Sequence, residues 1–551
     1  MKTYKGSFAK IILTLSEMKL KPVLLFFIIV VVQSAYAQIT FQKTYGGQSL
    51  DEFNSIQPTF DGNYILVGRT ANPISGTDDV YLIKTTATGD TLWTKAFGGL
   101  QSEIGISVKQ TVDSGYIIAG HTNGFGFGNH DAMLLKTDTA GNLQWAKAYG
   151  GSNVDIIYSV IQTADGGYVA AGYSKSPPGF WEDVLLIKTN AVGDTVWTRT
   201  FGGTSNNDRA LSVLQTNDGG FIVIGQTASF GGFQNDLYVV KTDSMGMSVW
   251  SKIYVGAGTE IGYDIRATND GGYILAGRAQ GYGPDSTWND AFLIKTDSIG
   301  NAQWSKTFGT TGNDFAYCIH QTLDNGYIVC GYSDSLGIFD DCWLYKTDSL
   351  GILQWSKTYG GQGIDLANAV ILTSDGGYII AGYESSYSAN SFNAYLIKTD
   401  SAGNSGCHET NPITNEYTVV TQVVSVTTVI TNKPLDYTNA AMGQAVGTLP
   451  VTLCLQLGIS QNQPENNAME VLVFPNPAHA SVTVEANVLA GQKAEVVMYD
   501  AVGKEVYAFD ETMSGYLLLK TINTTSLANG LYTLQVKCGN AVVTKKLAVQ
   551  H

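Results

Sequence analysis

The sequence predicts an all-β protein: a seven-bladed β-propeller, then a Thr/Val-rich β linker region, then a small Ig-like β-sandwich. The first observation is a repeat. Asp-Gly-Gly-Tyr or a close variant begins at Asp61, Asp113, Asp165, Asp218, Asp270, Asp324 and Asp375, with successive spacings of 52, 52, 53, 52, 54 and 51 residues. The second is that two further markers keep step with it. Leu-Ile-Lys-Thr or a relative carries Lys84, Lys136, Lys188, Lys241, Lys295, Lys346 and Lys398, and a Trp followed by Lys/Arg-x-Tyr/Phe-Gly recurs at Trp93, Trp145, Trp197, Trp250, Trp304 and Trp355. The third is composition: 62 Gly and only 14% charged residues, as in turn-rich β chains. A period near fifty residues is the mark of propellers and solenoids.

Within one unit, residues 156–163, 168–173, 184–189 and 196–200 read as four strands, rich in the Tyr, Val, Ile and Thr that half-buried pleated surfaces favour. Asp165-Gly166-Gly167 supplies residues that tolerate positive φ in a tight hairpin. The commonest connection after the third strand is Thr296 to Asn301, where Asp297 caps the turn and Gly300 closes it. Four strands per unit point to blades rather than to a stacked β-helix. The seventh unit lacks its Trp strand, having Ser405-Gly406-Cys407 there, while residues 39–47 carry the missing motif with Phe41 at the Trp position, 52 residues before Trp93. The N-terminal strand is therefore expected to complete the seventh blade and close the ring, leaving the propeller at 38–404. The repeats resemble those of bacterial secreted propeller-repeat proteins.

The chain ends give an address. Lys19 and Lys21 precede the apolar run Val23–Val32, and Ala35-Tyr36-Ala37 fits a signal-peptidase site. Residues 1–37 are thus expected to be a signal peptide cleaved after Ala37, with no Cys following; the apolar run is short for a membrane span. Met18 is an alternative initiator. At the other end, Phe474-Pro475-Asn476-Pro477, residues 499–506 (Tyr-Asp-Ala-Val-Gly-Lys-Glu-Val), residues 527–532 (Leu-Ala-Asn-Gly-Leu-Tyr) and residues 545–549 (Lys-Lys-Leu-Ala-Val) follow in order. In that order, at the end of a chain with a signal peptide, they resemble the type IX secretion C-terminal sorting domain, over about 462–551. The resemblance implies passage through the periplasm, engagement of the type IX machinery, export across the outer membrane, and release or surface attachment. Residues 405–461 lie between as a β-rich linker region.

The net charge of −15 argues against nucleic acid and anionic membranes as partners, and the ring is expected to be monomeric. Of six cysteines, Cys318, Cys330 and Cys342 stand where other units have small residues and read as buried thiols, although a Cys318–Cys330 cross-strand bond is geometrically open. Cys407 and Cys454 bracket the linker and are the better disulfide pair.

Two sets of residues are candidates for function. Acids open the first strand of every unit: Asp51, Glu103, Asp155, Asp208, Glu260, Asp314 and Asp365. They could form a ring at the channel mouth that binds Ca²⁺, but an acid repeated in every blade is explained more simply as a hydrogen-bond acceptor of the architecture. No other cofactor is expected. A second recurring acid precedes the third strand at Asp79, Asp131, Asp183, Asp236, Asp290 and Asp341, with Asn393 in the seventh unit, and reads as a turn cap. The loops between second and third strands share little sequence, yet six carry aromatics: Phe125 and Phe127, Phe180 and Trp181, Phe230 and Phe233, Tyr282 and Trp288, Phe339, Tyr387 and Phe392. Aromatic faces on a rigid scaffold suit stacking on sugar or docking on protein; packing over the blade rims is the competing account. Among these, Phe127, Phe180, Trp181, Phe233, Tyr282, Trp288, Phe339 and Phe392 are the binding candidates. The six His residues are scattered and no Ser/His/Asp spacing emerges. The expectation is a secreted or surface-attached binding or adhesion protein for glycan or protein. The alternatives are a polysaccharide hydrolase or lyase on the same scaffold, and a structural surface component.

Overall fold

A computed structural model describes residues 38–551 except 48, 73–74, 176–180, 232–233, 283–286, 335–338, 389–390, 432–435, 440–442, 446–450, 458–470, 475–479, 488–492, 501–502, 513–516, 539–540 and 550–551. Every regular element among the described residues is a β-strand. The chain divides into two compact units, one ending at Ile459 and one beginning at Ser460.

In the first unit, seven open antiparallel sheets share one plan. The first is typical: Asp51–Pro58 innermost, then Tyr64–Ala71, Asp78–Thr85 and Thr91–Gly98 in order outward. The innermost strand of each sheet packs beside that of the next, and the seventh, Asp365–Leu372, packs beside the first. The sheets therefore close into a propeller ring.

The sequence markers repeat because each has a partner at a fixed register. The Asp of every Asp-Gly-Gly turn pairs with the Lys of the third strand in its own sheet, from Lys84–Asp61 to Lys398–Asp375, at 2.6–2.9 Å. The same carboxylate accepts the N–H of the second Gly of its turn, as in Gly167 N–H to Asp165 at 3.0 Å. Each Lys stem is buried while its Asp faces water, so the pair orders the hairpin and contributes modestly to stability.

Neighbouring sheets are joined by an aromatic ring set against a turn. Trp93 lies 5.9 Å from Tyr116 of the next sheet, and Trp145–Tyr168, Trp197–Phe221, Trp304–Tyr327 and Trp355–Tyr378 repeat the contact at 6.0 Å. The same Trp presses on the glycine of the next sheet's turn: a Cβ on Gly141 would lie 2.7 Å from the Trp93 ring, and φ there is +75°, so side chains are excluded twice. A Tyr hydroxyl then donates to that turn's carbonyl, as Tyr149 does to Gly193 at 2.6 Å. Closure uses identical parts. Ile39–Tyr45 pairs with Asn393–Thr399 in the register Phe41↔Lys398, Phe41 is fully buried against Gly89, and Tyr45 donates to the Gly89 carbonyl.

The N-terminal strand is not the outermost of its sheet, and residues 405–461 are not a linker region standing apart from the ring. This segment turns back and runs around the ring against chain order, adding a fifth antiparallel strand to every sheet. Glu409–Thr410 joins the sixth sheet, Asn415–Thr418 the fifth, Gln422–Ser425 the fourth and Val429–Thr431 the third; Asp436–Asn439, Gly443–Ala445 and Val451–Leu457 follow on the second, first and seventh. Closing a ring of sheets leaves each sheet with one open outer edge, and this belt covers those edges. The Ser after the marker Trp holds it: Ser251 donates to the Val426 carbonyl at 2.7 Å and Ser305 to that of Val419 at 2.8 Å. Lys306 forms an ion pair with Glu416.

The second unit packs a three-stranded sheet (Val471–Phe474, Ser481–Asn487, Leu517–Asn523) and a four-stranded sheet (Glu505–Thr512, Lys493–Tyr499, Gly530–Cys538, Ala541–Val549) around one core. Alternate residues turn inward, Val482, Val484 and Ala486 from one sheet and Ala494, Val496 and Met498 from the other, as a sandwich requires.

Replacing Phe41 by Ala is expected to destabilise the first unit by about 3–5 kcal/mol, read from denaturant unfolding. A chain ending at residue 404, with the belt removed, is expected to self-associate through its uncovered edges in sedimentation or light scattering; a monodisperse monomer of unchanged stability would contradict the role given to the belt.

Candidate functional site

All seven first-strand acids are buried rather than displayed around the channel. Each accepts a backbone N–H from the connection leading into its own strand: Gly47, Gly99, Gly151, Gly203, Gly256, Thr310 and Gly361 donate to Asp51, Glu103, Asp155, Asp208, Glu260, Asp314 and Asp365 at 2.7–3.1 Å. Hydroxyls at the end of the second strand add a further bond, Thr122 to Glu103 at 2.8 Å and Ser174 to Asp155 among them. These acids clamp the crossing from one sheet to the next.

The acid before the third strand reaches the same crossing from the preceding sheet. A Cβ on Gly202 would lie 2.4 Å from Asp183 Oδ1 and 2.6 Å from Asp208 Oδ2, so the glycine leaves room for two carboxylates. Asp131 also caps its loop through the N–H groups of Phe127 and Gly128, at 3.1 and 3.0 Å. Burial, followed by the facing Asp314, pushes Asp290 up to about 7; burial and then Asp365 do the same to Asp341. Glu260 is raised by burial to about 7 and Asp314 to about 6. Among the described residues no group of three or more His, Cys, Asp or Glu side chains could hold a metal ion. The seven acids thus lie in seven separate crossings and do not converge on one Ca²⁺.

The loop aromatics divide by environment. Phe127, Trp181, Trp288 and Phe339 are 42–52% exposed, on four different sheets but at the same end of the ring. Tyr282 stacks on Phe292 at 6.1 Å, and its hydroxyl accepts the Ala257 N–H at 3.2 Å. Phe392 meets Tyr383 edge-on at 5.3 Å. Phe125, Phe230 and Tyr387 pack on the cores between sheets. Phe180 and Phe233 lie outside the described residues, as does Ala37.

Sequence reasoning missed a second group at this end, around the ring axis. Each innermost strand carries a bulge, at Asn54, Ile106, Tyr158, Leu211, Tyr263, Tyr317 and Asn368, and bulges re-aim side chains. Tyr263 and Tyr317, from adjacent sheets, meet at 4.9 Å. The equivalent position one or two residues before the end of the second strand also varies: Arg69, His121, Tyr173, Gln226, Arg278, Tyr332 and Tyr383. Arg69 is held by Glu52 at 2.7 Å and Asp78 at 3.3 Å, Arg209 by Glu182. Burial, and then His130, lowers His121 to about 4. The available signal was partial variation: the bulge position is Tyr in three repeats, Asn in two and Ile or Leu in the others, and the second-strand position is Tyr in three, Arg in two and His or Gln in the others.

Deeper along the inner strands, Asp264, Arg266, Cys318 and Lys109 gather. Arg266 reaches Asp264 at 3.1 Å and Cys318 Sγ at 4.0 Å, and Lys109 is lowered to about 8, by burial and then Arg266. Cys318, Cys330 and Cys342 are free thiols, with Cys318 directly opposite Cys330; Cys407 is disulfide-bonded. The side chain of Cys454 falls outside the described set, but its backbone lies opposite Gln42, whose amide donates to the Cys407 carbonyl at 2.5 Å.

The crossing acids carry a pH prediction. An Asp ionises near pH 4 in the unfolded chain, whereas Asp290 and Asp341 keep their protons to about 7 in the folded protein. Between those values the native state binds more protons, so their contribution to stability falls as pH rises. Asp290→Asn, which copies Asn393 of the seventh sheet, is expected to raise the thermal midpoint at pH 8 by about 1–3 °C and to leave it nearly unchanged at pH 4. Equal shifts at both values would contradict the acid pairing.

Residues 472–550 match the family profile described as a secretion system C-terminal sorting domain. No curated protein matches the chain. Among solved structures, Sqt1 from Chaetomium thermophilum is 10% identical with a TM-score of 0.39, covering 63% of this chain and 83% of its own. The tetra-tandem repeat in the extending region of a large adhesion protein is 11% identical with a TM-score of 0.14, covering 87% of this chain and 97% of its own. The second unit is thus a type IX sorting tail, and the protein is exported across the outer membrane to be secreted or attached at the cell surface.

Proposed function

We propose that the propeller is a ligand-binding or adhesion module displayed outside the cell, and that its ligand docks on the end of the ring formed by the loops between second and third strands. One observation carries this reading: Phe127, Trp181, Trp288 and Phe339 hold exposed aromatic faces on four sheets at that one end. Exposed Trp and Phe faces offer large apolar area at small conformational cost, which suits stacking on sugar rings or docking on protein. The opposite end presents the repeated Asp-Lys turns, whose groups already satisfy one another. A polysaccharide hydrolase would need an accessible pair of carboxylates. The acids raised toward neutrality here sit in the sheet crossings behind glycine, and this favours binding over turnover.

The test is a glycan and surface-protein array probed with the full chain beside Trp181→Ala and Trp288→Ala. Each variant is expected to lose about three- to tenfold in affinity, the value of a single aromatic contact. Unchanged binding in both variants would reject this face as the docking surface, and turnover of any arrayed polysaccharide would replace the reading with the enzymatic one.

A further inference from the structure

Three arginines stand at the channel mouth, and two are complete. Arg209 lies 4.7 Å above the ring of Tyr173 and pairs with Glu182. Arg69 pairs with both Glu52 and Asp78. Arg278 of the fifth sheet has the same aromatic seat, its guanidinium 4.9 Å above Phe315 of the sixth. It has no carboxylate within ion-pair distance among the described residues. Of the five N–H groups of a guanidinium, one donates to Asn289 Oδ1 at 3.3 Å; Nε is buried without a partner, and the remaining groups have none among the described residues.

The surroundings of Arg278 are aromatic and hydroxylated. Phe315 stacks on Tyr332 at 4.5 Å with 17° between planes, and Tyr263 and Tyr317 lie beside them, 4.9 Å from each other. The hydroxyls of Tyr263, Tyr317 and Tyr332 have no hydrogen-bond partner among the described residues, although each ring is at least half buried by its neighbours. Asp340, the acid that acts most strongly on Tyr332, makes no ion pair with Arg278. A stacked guanidinium and three tyrosine hydroxyls, all without a carboxylate or hydrogen-bond partner of their own among the described residues apart from Asn289 on Arg278, therefore meet on one side of the mouth beside the partly exposed rings of Tyr263, Tyr317 and Tyr332. The stacked arginine already occupies the aromatic face a cationic ligand would seek.

Resting on the reading of the propeller as a binding module, we propose that this mouth, between the fifth and sixth sheets, is a subsite for a carboxylated sugar, the carboxylate pairing with Arg278 and the pyranose ring lying against the partly exposed rings of Tyr263, Tyr317 and Tyr332. Guanidinium–carboxylate pairing is planar and strong in a partly desolvated site, sugar rings stack on aromatic faces, and the free tyrosine hydroxyls match sugar hydroxyls. The ligand supplies at Arg278 what Glu182 supplies at Arg209.

The experiment uses the full chain with two matched probe pairs: a tetragalacturonate against its carboxyl-reduced neutral counterpart, and sialyllactose against lactose. At least one acidic member is expected to bind about tenfold or more tightly than its neutral partner, and rising salt should shrink the gap. Arg278→Gln is expected to bring the acidic probe to the neutral level while leaving the neutral probe unchanged. Tyr332→Phe, which keeps the ring and so the fold, is expected to weaken both members of the pair about threefold. No acidic preference, or a preference that survives Arg278→Gln, would overturn the subsite. If binding of another ligand still depended on Trp181 and Trp288, the docking face would stand without it; if nothing bound in a Trp-dependent way, the broader reading would fall instead.

Discussion

One contact repeated around a circle holds this molecule together: an aromatic ring at the end of each sheet set against a glycine in the next sheet's turn. Trp93 meets Gly141, Trp145 meets Gly193, and the series ends with Phe41 on Gly89. The glycine is fixed by the approach distance and by its positive φ, the aromatic by the need to fill the wedge between two twisted sheets. Because the last contact is made by Phe41, in the first described strand, the ring depends on its N-terminal segment. The belt then pairs with the edges that closure leaves open, so each sheet ends in a short belt strand of two to seven residues rather than in the edge of its marker strand.

The architecture was readable because its determinants are pairs at constant spacing. Asp165 and Lys188 recur together because they touch, and the absence of a Trp strand after Asn404 together with Phe41 at the right distance from Trp93 pointed to the closing strand. The belt was not readable. Its strands run from two to seven residues and find their partners from 50 positions earlier (Glu409 with Tyr359) to 418 (Leu457 with Ile39), so no local alternation betrays them. A trace exists in retrospect: Val419 and Val426, seven residues apart, make the same bonds to Ser305 and Ser251. Seven extended residues span about 23 Å, a length suited to the step between neighbouring outer edges.

The site divides in the same way. Sequence located the end of the ring where variation concentrates, but could not separate Trp181 and Trp288, which face water, from Phe125 and Phe230, which fill the inter-sheet cores. Whether an aromatic in a loop is exposed depends on the neighbouring sheet, and a single repeat does not contain that sheet. The acids misled for the opposite reason: they recur in every unit, which drew attention, but recurrence reflected a shared structural duty at the crossings. Arg278, Tyr317 and Tyr332 were passed over because their positions hold no constant marker, Tyr standing at each in three repeats and Arg at the second-strand position in two, and the bulge at Tyr317 has no signature in one strand alone.

Amide hydrogen exchange resolved by peptide tests the closed ring most directly. The account predicts that residues 39–45 exchange as slowly as 393–399, their partners in the seventh sheet, and that Phe41→Ala accelerates both together. Fast exchange at 39–45 while 393–399 stay protected would place the N-terminal strand outside the seventh sheet, and the ring, its belt and its channel mouth would all require another explanation.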